Sequence, residues 1–219
     1  MPGFHPRAEA LPEEIPVFPL TGALLLPWGR LPLNIFEPRY LAMVEDALAA
    51  GRMFGMIQPD PSAPARREGP GCYRIGCLGR LASFSETDDG RFLITLVGLP
   101  RFEALAERPM RRGYRRMQVS YARFLADLDP PPAAFGLDRA ALLSSLRAYF
   151  TRQGYDANHE AIGKLDDPAL VTTLSILCPF EPAEKQALLE APDLPARAAA
   201  LLALLRMGAA EAPDGARPS

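Results

Sequence analysis

Prolines set the strongest limit on what this chain can fold into. Between Ile15 and Tyr40 the sequence reads IPVFPLTGALLLPWGRLPLNIFEPRY, with Pro16, Pro19, Pro27, Pro32 and Pro38 cutting the apolar runs. A proline has no N–H to give a β-ladder, so strands built from these pieces are short or lie at an edge. Pro38 has the fixed φ suited to a first helical position. The segment therefore predicts strand, break, strand and helix entry, with Pro27-Trp28-Gly29 as the break.

The rest of the chain divides by period. Tyr40, Leu41, Val44, Ala47 and Leu48 fall at helical spacing, and Gly51 stands where a helix C-terminus is expected. Met53–Gln58 reads as a buried strand, and 59–71 as an exposed loop rich in proline, glycine and charge. Tyr73–Leu81 begins a long strand, Thr87-Asp88-Asp89-Gly90 is a hairpin signal, and Arg91–Leu105 returns with alternation. Gln118–Phe124 is the last strand-like run. Asp129-Pro130-Pro131-Pro132 then forms a stiff divider. Beyond it the pattern is helical: Asp138 to Arg152, a helix started by Asp167-Pro168, one from Glu181-Pro182, and one from Asp193 through Leu205.

These patterns predict an α+β chain. A β-rich pseudo-barrel subdomain with one helix is expected over 15–125, a helical bundle subdomain over 137–208, and flexible tails over 1–14 and 209–219. An apolar content of 48% over 219 residues is enough for a real core. The N-terminus lacks an apolar h-region and no apolar run is long enough to span a bilayer, so a cytoplasmic location without membrane attachment is expected.

Charge is unevenly placed. The net charge is −2, but residues 91–123 carry 8 Lys+Arg against 2 Asp+Glu, between two acidic flanks. Arg108-Pro109-Met110-Arg111-Arg112-Gly113-Tyr114-Arg115-Arg116 concentrates this charge. As a loop it would be solvated or paired with acidic helices; as a site, Arg111 and Arg112 would meet phosphates while Tyr114 stacks on a base.

Catalytic patterns are absent. His159-Glu160 lacks the second histidine of a zinc-protease helix, and no serine sits in G-x-S-x-G. Gly163-Lys164 is followed by Leu165, so there is no phosphate loop. The three cysteines suit neither a disulfide framework nor a zinc site, and Cys77 reads as core. No catalytic residue, metal or cofactor is expected.

Several words together resemble the N-terminal, substrate-binding domain of Lon proteases. They are the opening F-P-L…P-L-x-I-F-E-P-R-Y, then Tyr73-Arg74-Ile75-Gly76-Cys77-Leu78, then Asp89-Gly90-Arg91-Phe92 followed by Val97-Gly98-Leu99-Pro100-Arg101-Phe102, and finally Glu184-Lys185-Gln186-Ala187-Leu188-Leu189-Glu190. The resemblance runs from about Ile15 to Met207. It implies a PUA-like pseudo-barrel followed by a helical bundle. It also implies a non-catalytic module that binds polypeptide segments or a protein partner, standing alone without ATPase or peptidase domains. A PUA-like nucleic-acid-binding protein is the alternative.

Trp28, the sole tryptophan, reads either as a core plug or as a binding anchor. In the second reading a groove between barrel and helices takes an extended peptide, with Arg30 meeting a carboxylate or carbonyl.

Overall fold

The computed structural model describes residues 6–64, 69–155 and 159–210. Six strands form one sheet: β1 (Glu14–Pro19), β2 (Arg30–Ile35), β3 (Met53–Ile57), β4 (Ile75–Glu86), β5 (Phe92–Arg111) and β6 (Tyr114–Ser120). Helix α1 (Pro38–Ala49) lies between β2 and β3. Helices α2 (Arg139–Gln153), α3 (His159–Gly163), α4 (Asp167–Leu177), α5 (Pro182–Glu190) and α6 (Leu194–Ala210) follow the strands.

The sheet order is β2-β5-β4-β3-β1-β6, and β5 also pairs with β6. Strand β5 can serve three neighbours because it is 20 residues long and bent. Its first half lies between β2 and β4, its second half pairs with β6, and register shifts mark both the β4 and β6 pairings. Such bulges raise the local twist and let a strand turn a corner. The sheet curls into a pseudo-barrel, but it is not a closed barrel: β2 pairs only with β5 and remains an edge. Pro32 sits within β2, where a missing donor is tolerated.

Local rules account for most boundaries. Pro38 occupies the first turn of α1. At the other end Gly51 takes φ +83°, and the Arg52 amide donates to the Ala47 carbonyl at 2.7 Å, closing the helix. Asp138 and Asp166 cap α2 and α4 through their carboxylates. The cap of α4 is thus one residue earlier than Asp167, the residue expected from sequence. Glu184 accepts from the Glu181 amide at 2.9 Å and steadies the start of α5.

Two expectations shift. Residues 1–14 are not wholly a loose tail: Leu11 is buried beside Ile15 and Val17, and the Val119 amide donates to Glu13 O at 2.9 Å. Residues 1–5 and 211–219 lie outside the described residues, while α6 continues to Ala210. The apolar run Leu24-Leu25-Leu26 is fully buried, yet it is not a strand.

The strand half and the helical half share a core. One apolar cluster combines Phe18, Leu24, Phe54 and Leu96 with Leu142, Leu174, Leu188 and Leu201. A second cluster, inside the curl, holds Ile15, Val17, Leu78, Leu99, Phe102 and Val119. Buried polar groups stitch the two halves. Lys185 Nζ donates to Gly22 O at 2.8 Å and to Ile176 O at 3.2 Å. Gln186 Nε2 donates to Ile75 O at 3.1 Å, and Gln58 Nε2 donates to Pro182 O at 3.0 Å. Burial lowers the Lys185 pKa below its ordinary value. The Glu184–Glu190 word is thus a clamp, since its lysine and glutamine satisfy carbonyls that packing would otherwise leave unpaired.

Candidate functional site

The site begins with the turn that joins the buried Leu24–Leu26 segment to β2. Pro27 and Trp28 reverse the chain, and Gly29 N donates back to Leu26 O at 2.9 Å. Trp28 has φ +66°, an unfavourable conformation for a bulky residue. Contacts on both sides hold it there. Its amide donates to Gly98 O at 3.0 Å, and Gly98 N donates to Gly29 O at 2.9 Å. Its indole Nε1 donates to the backbone oxygen of Asp127 at 3.0 Å. The turn can press this close to β5 because position 98 has no side chain. A Cβ there would lie 2.7 Å from the carbonyl carbon of Leu26, closer still to its oxygen.

Trp28, Gly29 and Arg30 form one wall of a cleft of about 630 Å³. Helix α4 forms the opposite wall with Thr172, Thr173, Ile176 and Leu177, and Pro131 and Ala133 close one side. Leu177 is 66% exposed, a large apolar side chain open to solvent. Arg30 is exposed, and its guanidinium makes no ion pair among the described residues. The volume suits several amino-acid side chains, and the lining mixes apolar surface with a few polar groups, as binding clefts do. Sequence reading names Trp28 and Arg30, but not the α4 wall. The available signal is Leu177 itself, an apolar residue at the end of a helix with nothing local to cover it.

Arg111, Arg112 and Tyr114 lie on a different surface. The segment expected as a basic loop is the end of β5, a two-residue turn at Arg112 (φ +48°) and Gly113 (φ +87°), and the start of β6. Two positive φ values in succession define the hairpin turn that matches strand twist. This hairpin docks on α1. Arg111 pairs with Asp46 at 3.1 Å, and Arg112 pairs with Glu45 at 2.6 Å and Asp46 at 2.9 Å. Arg108 and Arg116 pair with Glu14, and Arg115 with Glu107. Tyr114 is buried rather than presented for stacking, and its hydroxyl donates to Asp46 at 2.7 Å. Burial and the Asp46 carboxylate push the Tyr114 pKa up to about 12. Four carboxylates, three of them brought in by the tertiary fold, offset most of the charge of the five arginines.

The hydrogen bond from Tyr114, followed by that from Arg112 and the charges of Arg111 and Arg112, holds the Asp46 carboxyl below the usual carboxylate range. A depressed carboxylate pKa contributes stability that is present above the unfolded value and is lost as pH falls through the folded value. Asp46→Asn should therefore cost about 1–2 kcal/mol at pH 7, because the arginines are partly solvent-screened. It should cost much less at pH 2–3. Urea unfolding at both pH values checks this; an equal loss at both would sink it.

Cys77 and Cys178 are buried, and burial raises both thiol pKa values, that of Cys178 to about 12. Among the described residues no cluster of His, Cys, Asp or Glu could hold a metal. The side chains of His159 and Glu160 lie outside the described set; their backbone forms the short α3. No helix among the described residues is long and apolar enough to cross a membrane.

Comparison with known proteins places the chain. The family described as "ATP-dependent protease La (LON) substrate-binding domain" matches residues 14–207. The Lon protease of Anaeromyxobacter dehalogenans is 26% identical over 208 residues, covering 90% of this chain and 23% of that protein. Lon protease 2 of Sorangium cellulosum is 27% identical over 220 residues, covering 94% of this chain and 26% of its own length. The chain thus spans about a quarter of the curated relatives it matches. The crystal structure of a Lon N-terminal domain protein from Xanthomonas campestris superposes with a TM-score of 0.60 at 24% identity, covering 87% of this chain and 97% of that one. The N-terminal domain of a Mycobacterium avium complex Lon protease gives the same TM-score at 16% identity, covering 88% and 97%. At those identities the structures speak to the fold, and the family match decides the rest: this chain belongs to the Lon substrate-binding domain family.

Proposed function

We propose that the chain is a recognition module whose Trp28–α4 cleft binds an extended, apolar segment of another polypeptide, and that it hydrolyses neither ATP nor peptides itself. The observation that carries the reading is the cleft's construction. An aromatic wall held in a strained turn faces an exposed apolar helix edge, and the unpaired edge of β2 begins beside it at Arg30. An extended peptide uses both features at once, gaining main-chain hydrogen bonds from a strand edge and side-chain contacts from the cleft. Arg30 is placed to meet a carbonyl or carboxylate of that peptide. A cytoplasmic location belongs to the same proposal. The nucleic-acid alternative has less support, because the hairpin arginines are ion-paired and Tyr114 is buried.

The test uses dye-labelled, reduced and carboxymethylated α-lactalbumin as an unfolded polypeptide, with the native form as control, read by fluorescence anisotropy. Trp28→Ala should weaken binding of the unfolded chain by about tenfold or more, as for an aromatic anchor. Circular dichroism checks that the variant is folded. A folded Trp28→Ala protein that binds as the parent does would remove the cleft from consideration.

A further inference from the structure

Trp28 is held by a group that does not line the cleft. Its indole bonds to the backbone of Asp127, in the single turn of 3-10 helix Leu125–Leu128. That turn has no buried residue and no side-chain cap, and Leu125 is 46% exposed. Leu128 packs against the second apolar cluster, but the Asp127 side chain itself is held by polar contacts.

Arg101, on β5, supplies these contacts. Its amide, Nε and an Nη donate to the Asp127 carboxylate at 3.1, 2.8 and 3.0 Å. Its other N–H groups donate to the carbonyls of Leu189 (3.0 Å), Ala191 (2.6 Å) and Pro192 (3.3 Å), where α5 turns into α6. The guanidinium also lies over the Phe124 ring at 4.6 Å, and Arg101 as a whole is 4% exposed. A planar fork with all its donors engaged is a rigid fixture, whereas an ammonium in its place keeps the charge but not the geometry.

We propose that Arg101 is the positioning residue of the cleft: by fixing Asp127 against the α5–α6 corner it sets the placement of the Trp28 indole, and so ties the cleft wall to the helical half. The consequence for ligand affinity rests on the cleft reading above; the placement of Trp28 does not.

Because Trp28 is the sole tryptophan, intrinsic fluorescence reads its surroundings directly. Arg101→Lys should shift the emission maximum to the red and raise the acrylamide quenching constant, in protein that circular dichroism shows to be folded. Asp127→Asn weakens the fork from its other end and should do the same, which keeps the test alive if the lysine variant does not fold. Gln186→Leu is the control, since it removes a buried contact between the halves without touching Asp127 or Trp28. A merely structural role for Arg101 would leave quenching in all three variants equal to the parent, and that result overturns the proposal.

Affinity for the carboxymethylated lactalbumin should fall about fivefold in the Arg101 and Asp127 variants, the scale of a coupling through a packed network. If quenching changes while Trp28→Ala binds normally, the positioning stands and the cleft reading fails. If Trp28→Ala loses binding but the Arg101 and Asp127 variants keep both quenching and affinity, the cleft stands and the positioning fails.

Discussion

Arg101→Met is expected to destabilise the fold by about 3–5 kcal/mol, the cost of leaving a buried charge without its partner. The Asp127 carboxylate would lose two of its three donors, and the carbonyls of Leu189, Ala191 and Pro192 would lose theirs. The Arg101 main-chain amide would still be present, so two of the Asp127 bonds are lost outright and one persists. Removing the carboxylate as well should recover part of the loss, because a buried pair replaced by apolar groups of similar size is often close to neutral. Arg101→Met with Asp127→Leu should therefore be more stable than Arg101→Met alone. Urea unfolding measures both. A single-mutant loss under about 1 kcal/mol would show that water reaches the site and that the pair is a surface bridge in energetic terms.

Gly98→Ala is expected to cost about 3 kcal/mol or more, at the upper end for an overpacked site. Gly98 has no positive φ, so an alanine is allowed by the local backbone. The whole penalty is steric, and it falls on main chain: the new Cβ would meet Leu26 C at 2.7 Å and Pro27 N at 3.2 Å. A flexible side chain could swing away, whereas the Leu26–Gly29 turn cannot without giving up its hydrogen bonds to Gly98. For a domain of this size such a loss lowers the melting temperature by roughly 6–12 °C. The same movement carries Trp28 out of the cleft wall, so binding of unfolded lactalbumin should fall together with stability. A melting temperature within 2 °C of the parent would mean that the turn is soft, and would weaken the case for a preformed cleft.

These two residues come from one stretch, Val97–Phe102, and show how far the sequence reaches. The order of strands and then helices follows from local causes. Proline placement confines β2 to an edge, Gly51 closes α1, and Asp138 and Asp166 start helices, each through groups a few residues apart in the chain. Period and turn chemistry act over the same range, so the α+β order and the resemblance carried by four short words were legible. The basic segment at Arg108–Arg116, expected as a loop solvated or paired with acidic helices, is a β-hairpin paired with one; which helix it meets is not legible, because Glu45 and Asp46 stand more than sixty residues away.

The cleft divides in the same way. Trp28 and Arg30 stood out by residue type and by the prolines around them. Their opposite wall on α4, the left-handed Trp28 backbone and the Arg101–Asp127 brace did not, because each depends on where distant elements dock. Gln186 and Lys185 make the point again: in the chain they are two residues of a helical word, and only packing shows them bonding to Ile75 and Gly22. Short-range sterics and periodicity are written into neighbouring residues, whereas the partners of buried polar groups are chosen by the tertiary fold, which must satisfy each one it removes from water.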